Sequence, residues 1–252
     1  MQSPKDGVLL KVKGLVKRFG GLAAVNGIDC DLRAGELRAI IGPNGAGKTT
    51  FFNLLTGRFP PTAGRVHFKG EDITGLSPDR ITRKGIGRSF QVTSIFPNLT
   101  ALENVQPAVQ SRLGAPHPFR SLWSRRETWD KAEEVLGIVG LAERRDVRAA
   151  ELSHGEQKLV DIAIALAGDP ELLLLDEPTA GLSAVETRAV TDRIQGLADR
   201  RTVLLVEHDM KVVMSLARRI SVFHQGKVLA EGAPEEIRSN EDVRRVYLTR
   251  GA

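Results

Sequence analysis

Short runs of apolar residues predict strands within residues 8–90 and 172–230. Strands are predicted at 8–12 and 28–32, where apolar and polar side chains alternate over 10–12 and 28–32, the pattern of a strand with one face on a core. Residues 172–175 and 203–206 are wholly apolar, which is typical of parallel strands buried on both faces. A further short strand is predicted at 37–41. Other strand signals lie at 64–70 and 86–90, and at 220–230 as a hairpin.

Helical periodicity takes over between these runs. Apolar residues spaced three and four apart predict helices at 48–56, over most of 98–166, at 186–198 and at 235–247. Residues 111–129 have no clear period and are interpreted as a loop or short-helix insertion. The chain is therefore predicted to be an α/β protein in which a helical block interrupts a series of strands and helices.

Length and charge narrow the classes of function. The 252 residues suffice for one large domain or two small ones with a sizeable core. The formal net charge of +5 comes from 36 basic and 31 acidic residues scattered along the chain, which argues against a dedicated nucleic-acid binder. We therefore expect no nucleic-acid partner. A surface that faces anionic lipid headgroups is the alternative that the charge leaves open.

Cysteine content and the short apolar runs indicate the compartment. Cys30 is the only cysteine, so an internal disulfide is excluded, as expected in a reducing compartment. The N-terminal segment lacks the long apolar core of a signal peptide, and the apolar runs are too short to span a bilayer. If the protein works at a membrane, another chain is expected to do the crossing.

The segment 42–50, GPNGAGKTT, carries the first candidate site. It fits the pattern GxxxxGK(S/T) and lies between a predicted strand and a predicted helix. Its glycines let backbone N–H groups surround a phosphate chain, and the helix directs its positive end to the same point. Lys48 supplies a charge for the β- and γ-phosphates, and Thr49 supplies a hydroxyl for Mg²⁺. The residues expected to contact the nucleotide are Gly42, Pro43, Asn44, Gly45, Ala46, Gly47, Lys48, Thr49 and Thr50.

Two carboxylates follow the apolar run 172–175. Asp176 is expected to hold Mg²⁺ through water, and Glu177 is expected to polarise the attacking water. An acidic pair after a core strand is also common on protein surfaces. The phosphate loop earlier in the chain favours the catalytic interpretation.

Residues 152–157, LSHGEQ, resemble the signature sequence LSGGQ of ABC-type ATPases. Ser153 and Gly155 are kept, whereas His154 and Glu156 depart from the family pattern. Ser153 stands where a helix N-cap is expected, and Gly155 leaves backbone N–H groups accessible to a second anion. The resemblance implies that Ser153, Gly155 and Glu156 contact the nucleotide.

Other positions resemble the same family one by one. Gln91 is similar to the glutamine that reaches Mg²⁺ and the water, and His208 to the histidine that contacts the γ-phosphate. Phe19 is similar to the aromatic residue that stacks on adenine, with core packing as the alternative. Ser183 replaces the aspartate that the family carries in the segment 180–183. The implied catalytic residues are Glu177, His208, Gln91 and Lys48, and the implied metal ligands are Thr49, Gln91 and Asp176.

The resemblance covers about residues 8–250 and implies an ABC-type P-loop nucleotide-binding domain. Its expected fold is a RecA-like mixed sheet with an antiparallel β edge. The core is expected at about 1–91 and 166–252, with an inserted helical subdomain at about 92–165. ATP and Mg²⁺ are the implied cofactors. The resemblance also implies that ATP on one chain is covered by the signature segment of a second ATPase subunit, identical or related, and that closure of the pair drives a membrane permease.

Finer details resemble the ATP-binding subunit of branched-chain amino-acid importers, in the segments 17–22, 207–211 and 246–248. This branch implies transmembrane permease subunits, indirectly a substrate-binding protein, and a peripheral location on the cytoplasmic face of the inner or plasma membrane. The alternatives are the ATPase subunit of a urea importer or of a lipopolysaccharide or lipid exporter, and a soluble non-transport ABC ATPase. The expected permease contact is a groove beside Gln91 and the helical block, with apolar surface from Phe90, Ile95, Phe96 and Leu99; burial within the domain is the alternative for each of these four.

Overall fold

The chain forms two compact units, Met1–Ile81 with Ala198–Ala252 and Thr82–Leu197. The predicted division into a core and an inserted helical block has different boundaries and stays a prediction. The computed structural model describes residues 7–89, 95–113 and 122–248.

Both strands and helices occur in each unit. In chain order, the strands within the described residues are β1 (Val8–Phe19), β2 (Leu22–Arg33), β3 (Leu37–Ile41), β4 (Ala63–Phe68), β5 (Glu71–Asp72), β6 (Ile86–Arg88), β7 (Leu172–Asp176), β8 (Thr202–Val206), β9 (Arg219–His224) and β10 (Lys227–Gly232). The helices are α1 (Lys48–Leu55), α2 (Pro78–Lys84), α3 (Ala101–Leu113), α4 (Leu122–Ile138), α5 (His154–Leu166), α6 (Ala184–Ala198), α7 (Met210–Leu216), α8 (Pro234–Ser239) and α9 (Glu241–Leu248), with 3₁₀ turns at Ala142–Arg144 and Ala149–Glu151. The predicted α/β class is confirmed.

An antiparallel sheet in the first unit has the strand order β2-β1-β4-β5. β1 and β2 pair over almost their whole length and turn through two glycines. Leu10 and Val12 are buried, whereas Lys13 is exposed, so that one face of β1 packs on a core. The strands predicted at 8–12 and 28–32 are confirmed, and both are longer than their alternating patterns.

A mixed sheet in the same unit contains β10, β9, β3 and β8 in that order. β3 runs parallel to both β8 and β9, and β10 returns antiparallel to β9 through the Gln225-Gly226 turn. Every residue of β3 and β8 is buried, as predicted for the apolar run 203–206. Because β3 and β8 are parallel neighbours, their carboxyl ends lie at one edge of the sheet, where ligands bind in sheets of this kind.

The second unit combines a parallel strand pair, β6 and β7, with helices. α3 packs against α4 and α5, which confirms the helical content predicted within 98–166. The insertion predicted at 111–129 is described only in part: α4 begins within it at Leu122, and residues 114–121 lie outside the described residues. No helix within the described ranges is both long and apolar enough to cross a membrane.

The C-terminal tail differs from its prediction. Residues 235–247 are predicted as one helix, and the structure has two, α8 and α9, separated at Asn240. Asn240 has an extended backbone, with φ −69° and ψ 120°, and its Oδ1 accepts the N–H of Val243 at 3.1 Å. An asparagine side chain competes in this way with the helical backbone and starts a new helix. Apolar periodicity alone does not reveal such a cap.

A buried arginine organises the amino end of β3. Arg38 is 3% exposed. Its Nε donates to Glu36 Oε1 at 2.8 Å, and its Nη1 donates to Glu231 Oε2 at 3.1 Å. Its Nη2 donates to the carbonyl oxygen of Asp31 at 2.8 Å, and Nη1 lies 3.6 Å from the sulfur of Cys30. A buried charge needs such partners, because losing them leaves the charge uncompensated in a low dielectric.

We expect the thiol of Cys30 to be unreactive in the folded protein. Burial raises the pKa of Cys30 to about 11, so that its thiolate fraction at pH 7 is on the order of 10⁻⁴. A chromogenic thiol reagent at neutral pH should therefore give almost no signal with native protein and one equivalent per chain in guanidinium chloride. The chain has one cysteine, so no other thiol contributes. Rapid labelling of the native protein would contradict this burial.

Candidate functional site

Glycines shape the loop between β3 and α1. Gly45 and Gly47 have positive φ angles of 80° and 101°, a region that residues with a Cβ atom rarely adopt. A Cβ atom at Gly47 would lie 2.4 Å from the carbonyl oxygen of Ala24 in β2. Gly226 holds the loop from the hairpin turn, since its N–H donates to the carbonyl of Ala46 at 3.0 Å. The conformation of the loop therefore depends on the missing side chain at Gly47.

Lys48 folds over this loop. Its Nζ donates to the carbonyl oxygens of Gly42 at 2.6 Å and Pro43 at 3.2 Å. Gly47 is the N-cap of α1 and makes no side-chain capping bond, so it adds no acceptor to the first N–H groups of the helix. The ammonium group and the positive end of α1 thus converge on one loop, an arrangement that attracts phosphate. The other loop residues range from buried Ala46 through half-buried Thr50 to exposed Asn44 and Thr49.

Substituting Gly47 by alanine should destabilise the fold more than the same change at Gly45. Both positions have positive φ, which costs roughly 1–2 kcal/mol for a residue with a Cβ atom. Only at Gly47 does the new methyl group meet backbone, whereas nothing lies within 4 Å of a Cβ atom at Gly45. The urea midpoint of unfolding should fall for both variants, and clearly further for Gly47→Ala. Equal midpoints would contradict the close packing of the loop.

His208 lies at the same edge of the mixed sheet as the loop. It follows β8, whose neighbour β3 leads into the loop, and the N–H of Glu207 donates to the carbonyl of Ile40 at 3.3 Å. The side chain of Glu207 is fully buried, whereas that of His208 is 61% exposed. The backbone N–H of His208 donates to Glu207 Oε2 at 3.1 Å. The first unit thus places His208 and the loop that leads to Lys48 beyond the carboxyl ends of two adjacent strands.

Phe19 lies on the surface at the end of β1. It is 45% exposed. Its ring meets that of Phe59 edge to face with the centroids 5.6 Å apart, and Lys17 Nζ lies 5.2 Å from the Phe19 centroid. The alternative of core packing therefore does not hold for Phe19. An exposed ring with this support presents a surface on which a flat ligand can stack.

Asp176 ends β7 in the second unit, and its partner is not visible in the sequence. Asp176 is 1% exposed, and its Oδ2 accepts a bond from Arg88 Nη2 at 2.9 Å. Arg88 ends β6, the parallel neighbour of β7, so only the strand pairing brings the two together. The guanidinium stabilises a carboxylate that burial alone would disfavour in its charged form.

Glu177 follows in an unusual backbone conformation. Its φ of 51° places a non-glycine residue in the left-handed region, which costs roughly 1–2 kcal/mol. The N–H of Ala180 donates to the carbonyl of Glu177 at 3.2 Å and closes the turn. Strain of this kind persists only where the surrounding structure imposes it, and it concentrates at functional sites. The turn therefore marks Glu177 as a candidate for a positioned side chain.

Part of the expected site lies outside the described residues. Gln91 and Phe90 both fall in the segment 90–94, so their roles stay predictions. Of the other residues expected at a permease contact, Phe96 is 64% and Leu99 37% exposed, while Ile95 is half-buried. Apolar surface is therefore present at Phe96 and Leu99.

The signature segment begins α5 with a capping box. Ser153 Oγ accepts the N–H of Glu156 at 3.2 Å, and Glu156 Oε2 accepts the N–H of Ser153 at 2.8 Å. The N-cap predicted at Ser153 is therefore confirmed. Glu156 Oε1 also pairs with Arg144 Nε at 3.0 Å. The departure from the family pattern at Glu156 thus supplies a cap and an ion pair.

Gly155 receives a carboxylate from the first turn of α6. Its N–H donates to Glu186 Oε1 at 3.1 Å. Glu186 Oε2 accepts the hydroxyl of Ser183 at 2.7 Å and the N–H of Ser183 at 3.0 Å. The Ser183 hydroxyl, followed by the two backbone N–H groups, lowers the pKa of Glu186 to about 2. Glu186 lies outside the family motifs; the spacing of Ser183 and Glu186 reveals a helix cap, but not the contact with Gly155.

Fold and loop together define a P-loop nucleotide-binding protein of the α/β class. The family model of ABC transporters matches residues 25–180. A second family model, described as a branched-chain amino acid ATP-binding cassette transporter, matches residues 227–248, which cover β10, α8 and α9.

A relative and two solved structures agree with these matches. The high-affinity branched-chain amino acid transport ATP-binding protein LivG of Salmonella typhimurium is 43% identical over 250 residues, 95% of this chain and 97% of that protein. An ATP-binding cassette of an ABC transporter in its ADP conformation is 30% identical with a TM-score of 0.85, over 96% of this chain and 98% of that chain. A dimeric ATP-binding cassette in a post-hydrolysis state, bound to ADP and phosphate, is 30% identical with a TM-score of 0.75, over 90% and 99%. The chain belongs to the ABC transporter family, as one of its ATP-binding, ATP-hydrolysing cassettes.

Proposed function

We propose that this chain is the ATP-hydrolysing subunit of an importer for branched-chain amino acids. The observation that carries the branch is the match of the tail, residues 227–248, to the branched-chain family model. The similarity to LivG over 95% of the chain supports the same assignment. The tail forms β10, α8 and α9 of the first unit, well outside the motifs that all ATP-binding cassettes share.

ATP binds at the loop 42–50, and its adenine stacks on Phe19. The uncapped first turn of α1 and the Lys48 ammonium support phosphate binding here. Thr49, Gln91 and Asp176 would supply oxygen ligands to Mg²⁺; Thr49 is exposed, and Asp176 ends β7 with a buried carboxylate. Mg²⁺ prefers oxygen ligands, keeps several waters and is held jointly by protein and phosphates. When bound, it neutralises the charge that develops on the phosphates.

Four side chains act on the transferring phosphoryl group in this proposal. Glu177 accepts a proton from the attacking water and orients it, a role that its constrained backbone supports. Lys48 and His208 stabilise the charge on the γ-phosphate, and both stand at the same sheet edge. Gln91 orients the water and reaches the metal.

Two ATPase subunits share each nucleotide in the working form. Ser153, Gly155 and Glu156 of one subunit cover ATP that is bound to the loop of the other, which is either a second copy or a related chain. A solved cassette of the family that is dimeric and bound to ADP and phosphate supports this pairing. Closure excludes water from the γ-phosphate and so strengthens every charge interaction around it.

The pair works on the cytoplasmic face of the membrane against permease subunits. The helical block, about residues 92–165, carries the contact, and the exposed side chains of Phe96 and Leu99 support this placement. A substrate-binding protein delivers the amino acid to the permease. The core at about 1–91 and 166–252 carries the ATP.

Replacing the proposed base should separate binding from hydrolysis. We expect Glu177→Gln to bind ATP normally, to lose roughly 10²- to 10⁴-fold in kcat, and to accumulate as an ATP-bound pair in light scattering. The matched control is Glu171→Gln, at the other end of the same strand, which should hydrolyse ATP like the wild type. Undiminished hydrolysis by Glu177→Gln would refute its role as base.

Uptake in cells tests whether the transporter imports branched-chain amino acids. Deleting the gene should lower the uptake of radiolabelled leucine, isoleucine and valine at low external concentration. A plasmid copy of the wild type should restore uptake, and a copy carrying Glu177→Gln should not, because import depends on hydrolysis. If urea uptake falls instead, or if lipopolysaccharide fails to reach the outer surface while amino-acid uptake is unchanged, the branch assignment is wrong.

A further inference from the structure

Two helices of the second unit begin with the same four-residue pattern. Ser153 precedes α5, with Glu156 three residues later, and Ser183 precedes α6, with Glu186 three residues later. In both, the glutamate accepts the N–H of the serine that precedes the helix, at 2.8 Å and 3.0 Å. The serine oxygen in turn accepts the glutamate N–H, at 3.2 Å and 3.4 Å. Each helix therefore carries its own reciprocal cap.

The second cap does more than close its own helix. Glu186 uses Oε2 for Ser183 and turns Oε1 to the N–H of Gly155, at 3.1 Å. The approach is close, since a Cβ atom at Gly155 would lie 3.1 Å from Glu186 Cβ. The hydrogen bonds from Ser183 and Gly155 favour the charged form of the carboxylate and lower the pKa of Glu186 to about 2. The carboxylate of Glu186 thus lies against the first turn of α5, the helix that begins with the signature segment.

In the proposed function the first turns of α1 and α5 both face phosphate, and the two helices differ in how these first turns are capped. α1 has a glycine N-cap without a side-chain acceptor. α5 has oxygen acceptors of the same chain on two of its first N–H groups: Ser153 Oγ on Glu156 and Glu186 Oε1 on Gly155. A phosphate that approaches α5 therefore meets an N–H group already bonded to an anion, and the two negative groups repel each other.

We propose that Glu186 is a positioning residue that holds the N–H of Gly155 until the γ-phosphate of ATP on the partner subunit replaces it. The proposal rests on the proposed function, in which Ser153 and Gly155 face that nucleotide. When Oε1 of Glu186 leaves Gly155, the carboxylate keeps only its bonds to Ser183 through Oε2 and is free to move with that residue. Arrival of the nucleotide at the signature helix is thereby linked to the segment 180–183, where serine replaces the family's aspartate.

The kinetics of ATP hydrolysis test whether Glu186 competes with the γ-phosphate for the N–H of Gly155. Glu186→Gln keeps an oxygen that can cap Ser183 and removes the charge that opposes phosphate. We expect the KM for ATP to fall about two- to fivefold, with a smaller change in kcat. The matched control is Glu103→Gln, since Glu103 caps α3 through Thr100 in the same way, with bonds of 2.8 Å and 3.1 Å. An unchanged or raised KM in Glu186→Gln would overturn the proposal.

Hydrogen exchange of the nucleotide-free chain tests whether Glu186 holds the backbone N–H of Gly155. Glu186→Ala removes both acceptor oxygens, so the Gly155 amide should exchange faster than in the wild type, while Glu103→Ala should leave it unchanged. Equal exchange in wild type and Glu186→Ala would overturn the proposal. This readout needs no hydrolysis.

A third variant separates this inference from the proposed function. Gly155→Asp puts a carboxylate on the first turn of α5 and should abolish hydrolysis if that turn covers ATP. Wild-type hydrolysis by Gly155→Asp would sink the proposed function and the inference with it. Loss of hydrolysis in Gly155→Asp, together with a wild-type KM in Glu186→Gln, would sink the inference alone.

Discussion

The anion-binding arrangement proposed for this protein depends on backbone N–H groups at the first turn of a helix. These donors bind anions without any side chain having to reorganise. At α1 the requirement is met by glycines with positive φ, packed against β2 and the turn at Gly226. At α5 it is met by a serine cap and by the Glu186 carboxylate. The same physical device thus occurs twice, once without a side-chain cap and once capped by side-chain oxygen atoms of the chain itself.

The strands around the first of these helices could be predicted because burial on both faces leaves an unambiguous pattern. The run 203–206 is wholly apolar and forms β8, and the loop after β3 carries a motif whose every position has a chemical reason. The break in the tail could not be predicted from apolar periodicity, since it depends on one side-chain bond from Asn240. Local polar competition, not hydrophobic pattern, decides where α9 begins.

The polar partners of the candidate site are the part that sequence reasoning misses. Arg88 meets Asp176 only because β6 and β7 pair in parallel, and Glu186 meets Gly155 only because two helix starts lie side by side. Neither contact follows from spacing along the chain. The left-handed backbone of Glu177 is likewise a product of the turn around it, since no local preference of glutamate favours that conformation.

The polar cluster around Arg38 has a practical consequence for studies of motion in this cassette. Its sulfur neighbour, Cys30, is shielded inside the protein and is the only thiol that the chain carries. Cysteines introduced at exposed positions, for example at Arg188 or Glu235, can therefore take up spin labels or fluorophores selectively while the native residue stays in place. Distances between two such labels would report rearrangements during the ATPase cycle without the loss of packing that a cysteine-free background brings.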